Sequence, residues 1–146
     1  MAKQPNSFSP KAEFTAIPIA EMSRLFDAGY SLIPLGKGPD GKSPLVTFEG
    51  RKRLPLQIVI RLMQKAGSTT YGVRLGDIVV VDCDTDNAQT LQFVADNFGH
   101  SDFTVKTSRG RHFYYSGGNA RPEKIAMDGV SIDLKTGPNA YVVGPG

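Results

Sequence analysis

Residues 78–86 read IVVVDCDTD, and this stretch indicates both the fold class and a candidate site. Its β-branched run predicts a buried strand, the most apolar in the chain. Because side chains alternate along a strand, Asp82 and Asp84 would share one face and Cys83 the other. Two carboxylates at that spacing repel each other unless a cation lies between them, and Mg²⁺ or Mn²⁺ suits such oxygen ligands. The alternative is that the strand ends at Asp82 and residues 82–87 form a solvated turn and helix cap.

Outward from this strand, the pattern of elements is typical of an α+β domain. Helical periodicity predicts helices over residues 17–29, 54–67 and 87–98. Short β-rich runs are predicted at 30–35, 70–75, 77–84, 103–108, 111–116, 130–135 and 140–144, with a turn at Gly76 and Asp77. Residues 46–48 also favour a strand. We expect a mixed or antiparallel sheet in one domain over residues 16–146, after an irregular arm at residues 1–15.

The composition excludes several classes of protein. The 146 residues are 40% hydrophobic and 21% charged, as in an ordinary globular domain. No apolar run approaches the ~20 residues of a membrane span, and the N-terminal residues lack the apolar part of a signal peptide. The single cysteine excludes an internal disulfide and a cysteine-based zinc site. These features predict a cytoplasmic protein with no membrane partner.

Positive charge is concentrated between residues 36 and 65. That stretch holds seven Lys or Arg and two acidic residues, while the whole chain has a net charge of +3. The candidates for binding a polyanion such as DNA are Lys37, Lys42, Arg51, Lys52 and Arg53. The alternative is a solvated basic helix with its preceding loop.

The same stretch contains GKGPDGKS (36–43), which matches the P-loop pattern of nucleotide-triphosphate-binding proteins. A working P-loop continues directly into a helix whose N-terminus binds phosphate. Here Ser43 is followed by Pro44 and by residues that favour a strand, and the chain after residue 99 offers almost no helix. We therefore expect a basic loop, and a P-loop NTPase stays the less favoured alternative.

Two further clusters carry groups that suit phosphate oxygens or metal ions. The turn in TSRGRHFYYS (107–116) presents Ser108, Arg109, Arg111 and His112. In VSIDLK (130–135), Asp133 and Lys135 lie two residues apart and would share one strand face. Three carboxylates with cationic side chains from separate strands are what metal-assisted nucleotidyl transfer requires. The alternatives are a strand histidine satisfied by a neighbour and a surface ion pair between strands.

Taken in order, these segments resemble the bifunctional primase–polymerase domain of the archaeo-eukaryotic primase superfamily, found in phage and plasmid replication proteins. The resemblance runs from about residue 28 to the end, through GYSLIPLGKGPDGKSPL (29–45), YGVRLGDIVVVDCDTD (71–86), TSRGRHFYYS and GVSIDLKTGPNAYVVGPG (129–146). It implies that Asp82, Asp84 and Asp133 are catalytic carboxylates that hold two Mg²⁺ or Mn²⁺ ions. It also implies that His112 binds the phosphates of the incoming nucleotide, with Ser108, Arg109, Arg111 and Lys135 nearby.

The resemblance further implies a sheet like that of an RNA-recognition motif, packed on a smaller N-terminal α/β part. The implied activity is template-directed addition of deoxyribo- or ribonucleotides to DNA, in a fragment of a larger replication protein that carries or recruits a helicase. A non-catalytic module that binds single-stranded or origin DNA remains the main alternative. A rolling-circle nicking enzyme is less favoured, because its metal site would need paired histidines, and His100 and His112 lie far apart in sequence.

Overall fold

The structure is a computed structural model that describes residues 16–117 and 120–146. These residues form three helices and seven strands, which confirms the α+β class. The helices are α1 (Ile19–Asp27), α2 (Leu56–Ala66) and α3 (Ala88–Phe98). The strands are β1 (Ser31–Lys37), β2 (Ser43–Pro44), β3 (Tyr71–Cys83), β4 (Phe103–Lys106), β5 (Arg111–Ser116), β6 (Glu123–Met127) and β7 (Val130–Val143). The chain divides into two compact units, one through Gly72 with Gly146 and the other from Val73 to Pro145.

The first unit packs two amphipathic helices against strand β1. Each helix buries two side chains from one face: Met22 and Leu25 in α1, Val59 and Met63 in α2. Both helices contact β1, whose central residues are buried, and they contact each other. Gly67 ends α2 with a φ of 70°, a left-handed conformation that glycine adopts without a side-chain clash. Both helices lie where the sequence periodicity predicts them.

The GKGPDGKS segment forms a hairpin between β1 and β2. Lys37 pairs with Ser43 across the two antiparallel strands. In the turn, the Asp40 carboxylate accepts a hydrogen bond from the backbone N–H of Lys42 at 3.0 Å. Within residues 16–117, the first helix after this hairpin begins only at Leu56. The prediction of a loop rather than a P-loop is therefore confirmed, because no helix N-terminus follows Ser43 to bind a phosphate.

In the second unit, strands lie side by side in the order β4, β5, β3, β7, β6. The pairs β3–β5, β4–β5 and β6–β7 are antiparallel. Strands β3 and β7 also run in opposite directions, because Asp84 N–H donates to the Ser131 carbonyl and Thr136 Oγ1 donates to the Ile78 carbonyl. Helix α3 covers one face of this sheet. The buried cluster there consists of Val81, Cys83, Val94, Val130, Ile132 and Leu134.

Asn87 is the N-cap of helix α3. The Asn87 side chain accepts a hydrogen bond from the Thr90 N–H at 2.8 Å and donates one to the Gly129 carbonyl at 3.1 Å. Thr90, whose side chain is fully buried, donates its hydroxyl to the same carbonyl. The turn between β6 and β7 is thus fastened to the start of α3, which fixes the beginning of β7.

Three predictions about strands are wrong. The two strands predicted at 70–75 and 77–84 are one strand, Tyr71–Cys83, and the two predicted at 130–135 and 140–144 are one strand, Val130–Val143. Gly76 (φ 58°) and Gly137 (φ 108°) lie inside these strands, where a glycine with positive φ allows an irregularity without ending the strand. Residues 46–48 are not a strand. Strand β6 was missed, because its residues EKIAM are mostly exposed and show no alternation.

Other predictions stay predictions. The arm at residues 1–15 lies outside the described residues, and nothing tests whether residues 16–146 act as one catalytic domain. In the described part of the chain, every helix is too short or too polar to cross a membrane.

Candidate functional site

The candidate site lies at the end of β3, on the sheet face opposite to helix α3. Asp82 pairs in register with His112 of β5, and Cys83 pairs with Arg111. Because side chains alternate, Asp82, Asp84 and His112 share one face, while Cys83 packs into the α3 cluster on the other. We call the face that carries Asp82, Asp84 and His112 the carboxylate face. The opposite one, which carries Cys83 and Arg111, is the helix face.

Asp82 lies between two nitrogen donors on the carboxylate face. His112 Nε2 is 3.3 Å from its Oδ1, and Lys135 Nζ is 3.3 Å from its Oδ2. Burial would raise the pKa of Asp82, but the hydrogen bonds and charges of His112 and Lys135 outweigh burial and hold this pKa below its ordinary value. Asp82 is therefore ionised at neutral pH, and the protein itself supplies a partner for each oxygen.

Asp84 follows the last residue of β3 and is exposed. Its Oδ2 accepts a hydrogen bond from Ser131 Oγ at 2.5 Å, and its backbone N–H donates to the Ser131 carbonyl at 3.0 Å. In the residues that the structure describes, no Lys, Arg or His forms an ion pair with Asp84. Among the described residues, the hydrogen-bond partner of the Asp84 carboxylate is thus a neutral hydroxyl.

Asp133 belongs to β7, beside β3. It shares a strand face with Ser131 and Lys135, whose side chains contact Asp84 and Asp82, so it lies on the carboxylate face. Lys124 of the outer strand β6 pairs with it in register. Within residues 16–117 and 120–146, no three His, Cys, Asp or Glu side chains form a group that would hold a metal ion. The structure therefore brings the three predicted carboxylates to one face, but not around one point.

His112 is the most buried polar residue of this face, with 7% of its surface exposed. Its Nε2 contacts Asp82, whereas its Nδ1 is buried and makes no hydrogen bond within the described part of the chain. An unpaired buried polar atom costs about 1–3 kcal/mol, so its presence in a native protein calls for an explanation such as a bound ligand.

The donor chemistry of the face suits a hard divalent cation next to phosphate. Carboxylate oxygens from Asp82, Asp84 and Asp133 are the ligands that Mg²⁺ and Mn²⁺ prefer. Lys135 and His112 add nitrogen donors of the kind that bind phosphate oxygens.

The turn between β4 and β5 carries two more predicted phosphate-binding residues, Ser108 and Arg109. Both are exposed at its tip. The Thr107 N–H donates to the Gly110 carbonyl at 3.1 Å, and the Gly110 N–H donates to Thr107 Oγ1 at 3.0 Å. The backbone of Gly110 packs directly on Cys83, so this turn lies against the end of β3.

The side chains of Arg111 and His112 lie on opposite faces of the sheet. The Arg111 side chain is on the helix face, with Nη2 3.9 Å from Asp86 Oδ2, and Lys106 Nζ is 2.7 Å from the same oxygen. The hydrogen bond to Lys106, with the charges of Lys106 and Arg111, lowers the pKa of Asp86. This cluster was not predicted from the sequence, although the strand alternation that separates Arg111 from His112 could have indicated it.

The five predicted DNA-binding residues lie in the first unit, and all five are exposed: Lys37, Lys42, Arg51, Lys52 and Arg53. Arg53 has a structural role there. Its Nη1 donates to the carbonyls of Phe26 (2.9 Å) and Tyr30 (3.4 Å), and its guanidinium lies 3.7 Å from the centre of the Phe26 ring. Arg53 therefore binds the C-terminal end of α1, where carbonyls lack partners within the helix.

Ser131 is the residue of this site that the sequence reasoning missed. The available signal was its position two residues before Asp133, which places both on one strand face.

Comparison with known proteins adds an independent finding. No curated protein matches the chain. A family model described as "Bifunctional DNA primase/polymerase, N-terminal" matches residues 23–146, a range that contains every candidate residue named above. Since the match covers most of the sequence, the chain belongs to the family of bifunctional DNA primase/polymerase N-terminal domains.

Proposed function

We propose that the chain is a template-directed nucleotidyltransferase that extends DNA or RNA strands with the aid of two divalent metal ions. Membership of the primase/polymerase family supports a role in DNA replication. The observation that carries the proposal is the arrangement of Asp82 and Asp84 on one sheet face with the buried His112 directly beside Asp82.

In this proposal Asp82, Asp84 and Asp133 hold Mg²⁺ or Mn²⁺. Bound ions would neutralise the triphosphate and activate the attacking hydroxyl. The lowered pKa of Asp82 supports this role, because a metal ligand must be ionised at working pH. The exposed carboxylate of Asp84, without a cationic partner among the described residues, supports it as the first point of contact for a cation.

The triphosphate would be bound by His112, Lys135, Ser108 and Arg109. Lys135 already lies on the carboxylate face, 3.3 Å from Asp82, and Arg109 is exposed on the turn that packs on β3. Arginine and lysine nitrogens form charge-assisted hydrogen bonds with phosphate oxygens. We leave Arg111 out of this group, because its contact with Asp86 lies on the helix face.

A DNA template, single-stranded or primed, would contact Lys37, Lys42, Arg51 and Lys52. Their exposure and their positive charge support binding to backbone phosphates, which makes affinity fall as salt rises. Arg53 would contribute to this surface through its structural role at α1.

The proposed setting is replication of phage or plasmid DNA in the cytoplasm. A helicase in the same or an associated chain would supply the single-stranded template. Support comes from the order of the motifs, which resembles that of such replication proteins. The likeness of the second unit to an RNA-recognition-motif sheet belongs to the same proposal, supported by antiparallel pairing and by a helix on the face away from the carboxylates.

One observation favours a second candidate, a non-catalytic module that binds single-stranded or origin DNA. Both oxygens of Asp82 have partners within the chain, so this carboxylate is satisfied without a metal ion. In that case His112, Asp82 and Lys135 would be a structural ion-pair network, and DNA binding would not respond to metal removal.

The deciding experiment compares two variants within the DCDTD run. Asp82→Asn and Asp86→Asn each replace one carboxylate by an amide, but Asp82 lies on the carboxylate face and Asp86 pairs with Lys106. Nucleotide incorporation would be measured on a primed template with Mn²⁺. We expect Asp82→Asn to lower the rate about 100-fold or more and Asp86→Asn to leave it nearly unchanged.

Equal rates in these two variants would contradict the assignment of Asp82. The second candidate predicts a different result, in which the unaltered chain incorporates no nucleotide and binds DNA equally well with and without EDTA.

A further inference from the structure

The contact between Ser131 and Asp84 suggests a role that neither the motifs nor the family match assigns. Ser131 binds Asp84 twice, through its hydroxyl to the carboxylate (2.5 Å) and through its carbonyl to the backbone N–H (3.0 Å). A hydroxyl that donates to a carboxylate forms a short, charge-assisted hydrogen bond, and 2.5 Å is at the short end of the range for such bonds. One residue thus fixes both the main chain and the side chain of Asp84.

This double contact matters because Asp84 lies just beyond the end of β3. Beyond that point the regular pairing of the strand ends, and without the contact to Ser131 the exposed carboxylate would rotate among several rotamers. The contact leaves the charge of Asp84 intact, since a hydroxyl is neutral. In contrast, the partners of Asp82 are His112 and Lys135, both nitrogen donors.

Ser131 also ties Asp84 to the strand of Asp133. The two residues are two positions apart on β7 and share a face, so the position of Ser131 sets how far Asp84 lies from Asp133. This spacing matters because each ligand of one ion must lie at a distance from the ion that is right to within about 0.2 Å.

We propose that Ser131 is the positioning residue for Asp84, which holds its carboxylate in the orientation that binds a divalent cation. The inference rests on the proposed function, in which Asp84 is a metal ligand. Ser131 itself contacts neither metal nor nucleotide in this role. Hydrogen-bond partners of metal ligands typically change metal affinity by about 10–100-fold when they are removed.

The test uses the full 146-residue chain and Mn²⁺ alone as the probe. Ser131→Ala removes the hydroxyl, and Ser131→Thr keeps a hydroxyl at a strand position that suits a β-branched residue. Thr136→Val is the matched control, because Thr136 Oγ1 donates from the same strand β7 to the same strand β3, but to the Ile78 carbonyl. Mn²⁺ binding is measured by calorimetric titration, and thermal unfolding is measured beside it.

We expect Ser131→Ala to weaken Mn²⁺ binding about 10-fold, with Thr136→Val unchanged and Ser131→Thr close to the unaltered chain. The Mn²⁺ concentration for half-maximal incorporation should rise by the same factor in Ser131→Ala, while kcat at saturating Mn²⁺ recovers. Unchanged affinity in Ser131→Ala would overturn the inference. An equal loss in Ser131→Ala and Thr136→Val would overturn it too, because a loosened sheet would then be the cause.

Asp84→Asn separates this inference from the proposed function. If Asp84→Asn loses Mn²⁺ binding and Ser131→Ala keeps it, only the inference fails. If Asp84→Asn binds Mn²⁺ as the unaltered chain does, Asp84 is not a metal ligand, and the proposed function and the inference fail together.

Discussion

Gly110 and Cys83 lie in direct backbone contact, so close that a Cβ at position 110 would come within 1.8 Å of the Cys83 carbonyl oxygen. The requirement for glycine at this position is steric. It is not conformational, since the φ of Gly110 lies outside the left-handed region. The turn that presents Arg109 is therefore docked on the strand that presents Asp82. A side chain at position 110 would have to separate the two.

We predict that Gly110→Ala destabilises the protein by more than about 3 kcal/mol. The added Cβ would meet backbone atoms of Cys83 and Asp84, which cannot rotate away as a side chain could. Urea unfolding measures the loss. Gly67→Ala is the control: its φ of 70° and ψ of 26° are left-handed, and no atom lies within 4 Å of the added Cβ. Only backbone strain of about 1–2 kcal/mol is expected there. Similar losses in the two variants would show that the close contact is not the constraint.

The pKa of Asp82 provides a second prediction. Because Lys135 helps to hold this pKa below its ordinary value of 3.8, Lys135→Met should raise it. A carboxyl with a lowered folded pKa stabilises the protein above its ordinary pKa and loses that contribution as pH falls through the folded value. In Lys135→Met this contribution should therefore be smaller, and its loss should be complete at a higher pH. Carboxyl carbon NMR titration reports the pKa directly.

Lys106→Met is the matched control for this titration. Lys106 pairs with Asp86 on the helix face, so its loss should raise the pKa of Asp86 and leave the Asp82 titration in place. If Lys135→Met leaves the Asp82 midpoint where it is in the unaltered chain, Lys135 does not pair with Asp82 in solution.

The thiol of Cys83 should be unreactive in the folded protein. Burial, with the charges of Asp82 and Asp84, raises its pKa from 9.0 to about 11. At pH 8 we expect iodoacetamide to label Cys83 only after unfolding in urea, because the thiolate is the reactive form. Rapid labelling of the native chain would contradict the packing of Cys83 under α3.

The same shift has a consequence for stability at high pH. Between about pH 9 and 11 the unfolded thiol loses its proton while the folded thiol keeps it, so stability should fall by about 1.4 kcal/mol per pH unit from this group alone. Cys83→Ala lacks the thiol, so its stability should fall less steeply over this interval. Parallel curves for the two proteins would contradict the prediction.

Arg53 and Lys52 are neighbours with different predicted roles. Arg53→Ala removes the contacts to Phe26 and Tyr30 and should lower the free energy of unfolding by about 1–2 kcal/mol. Lys52→Ala should leave stability unchanged, weaken binding to single-stranded DNA and lower the magnitude of the salt slope by about 1. Unfolding and DNA titrations at several salt concentrations measure both. A stability loss in Lys52→Ala equal to that in Arg53→Ala would contradict this division.

Much of the fold could be predicted, because local patterns determine it. The periodicity of α1 and α2, the Asn87 cap of α3 and the missing helix after Ser43 all lie within a few residues of the signal that indicates them. The wrong strand breaks at Gly76 and Gly137 have a different cause. A glycine signals a turn in sequence, but pairing with neighbouring strands decides whether the strand continues.

The features of the site likewise divide into those that the local sequence predicts and those that only strand pairing creates. Alternation along one strand placed Asp82 and Asp84 on one face without knowledge of the partner strands. The contacts of Lys135 with Asp82 and of Ser131 with Asp84 join residues about 50 positions apart, so only the pairing of β3 with β7 creates them. Arg111 and Arg53 show the reverse case, in which basic residues that suited phosphate by type are held by Asp86 and by the end of α1.

Arg111 and His112 are consecutive in β5, and they serve opposite faces of the sheet. Insertion of one residue into the turn at 107–110 would shift every later residue of β5 by one place, so that arginine would take the place of histidine beside Asp82. A substitution in the turn at 107–110 alters the contacts of one side chain, whereas a change in the length of the turn moves every side chain of β5 to the other face of the sheet. Among relatives of this chain, we therefore expect the turn to keep its number of residues, with glycine at position 110.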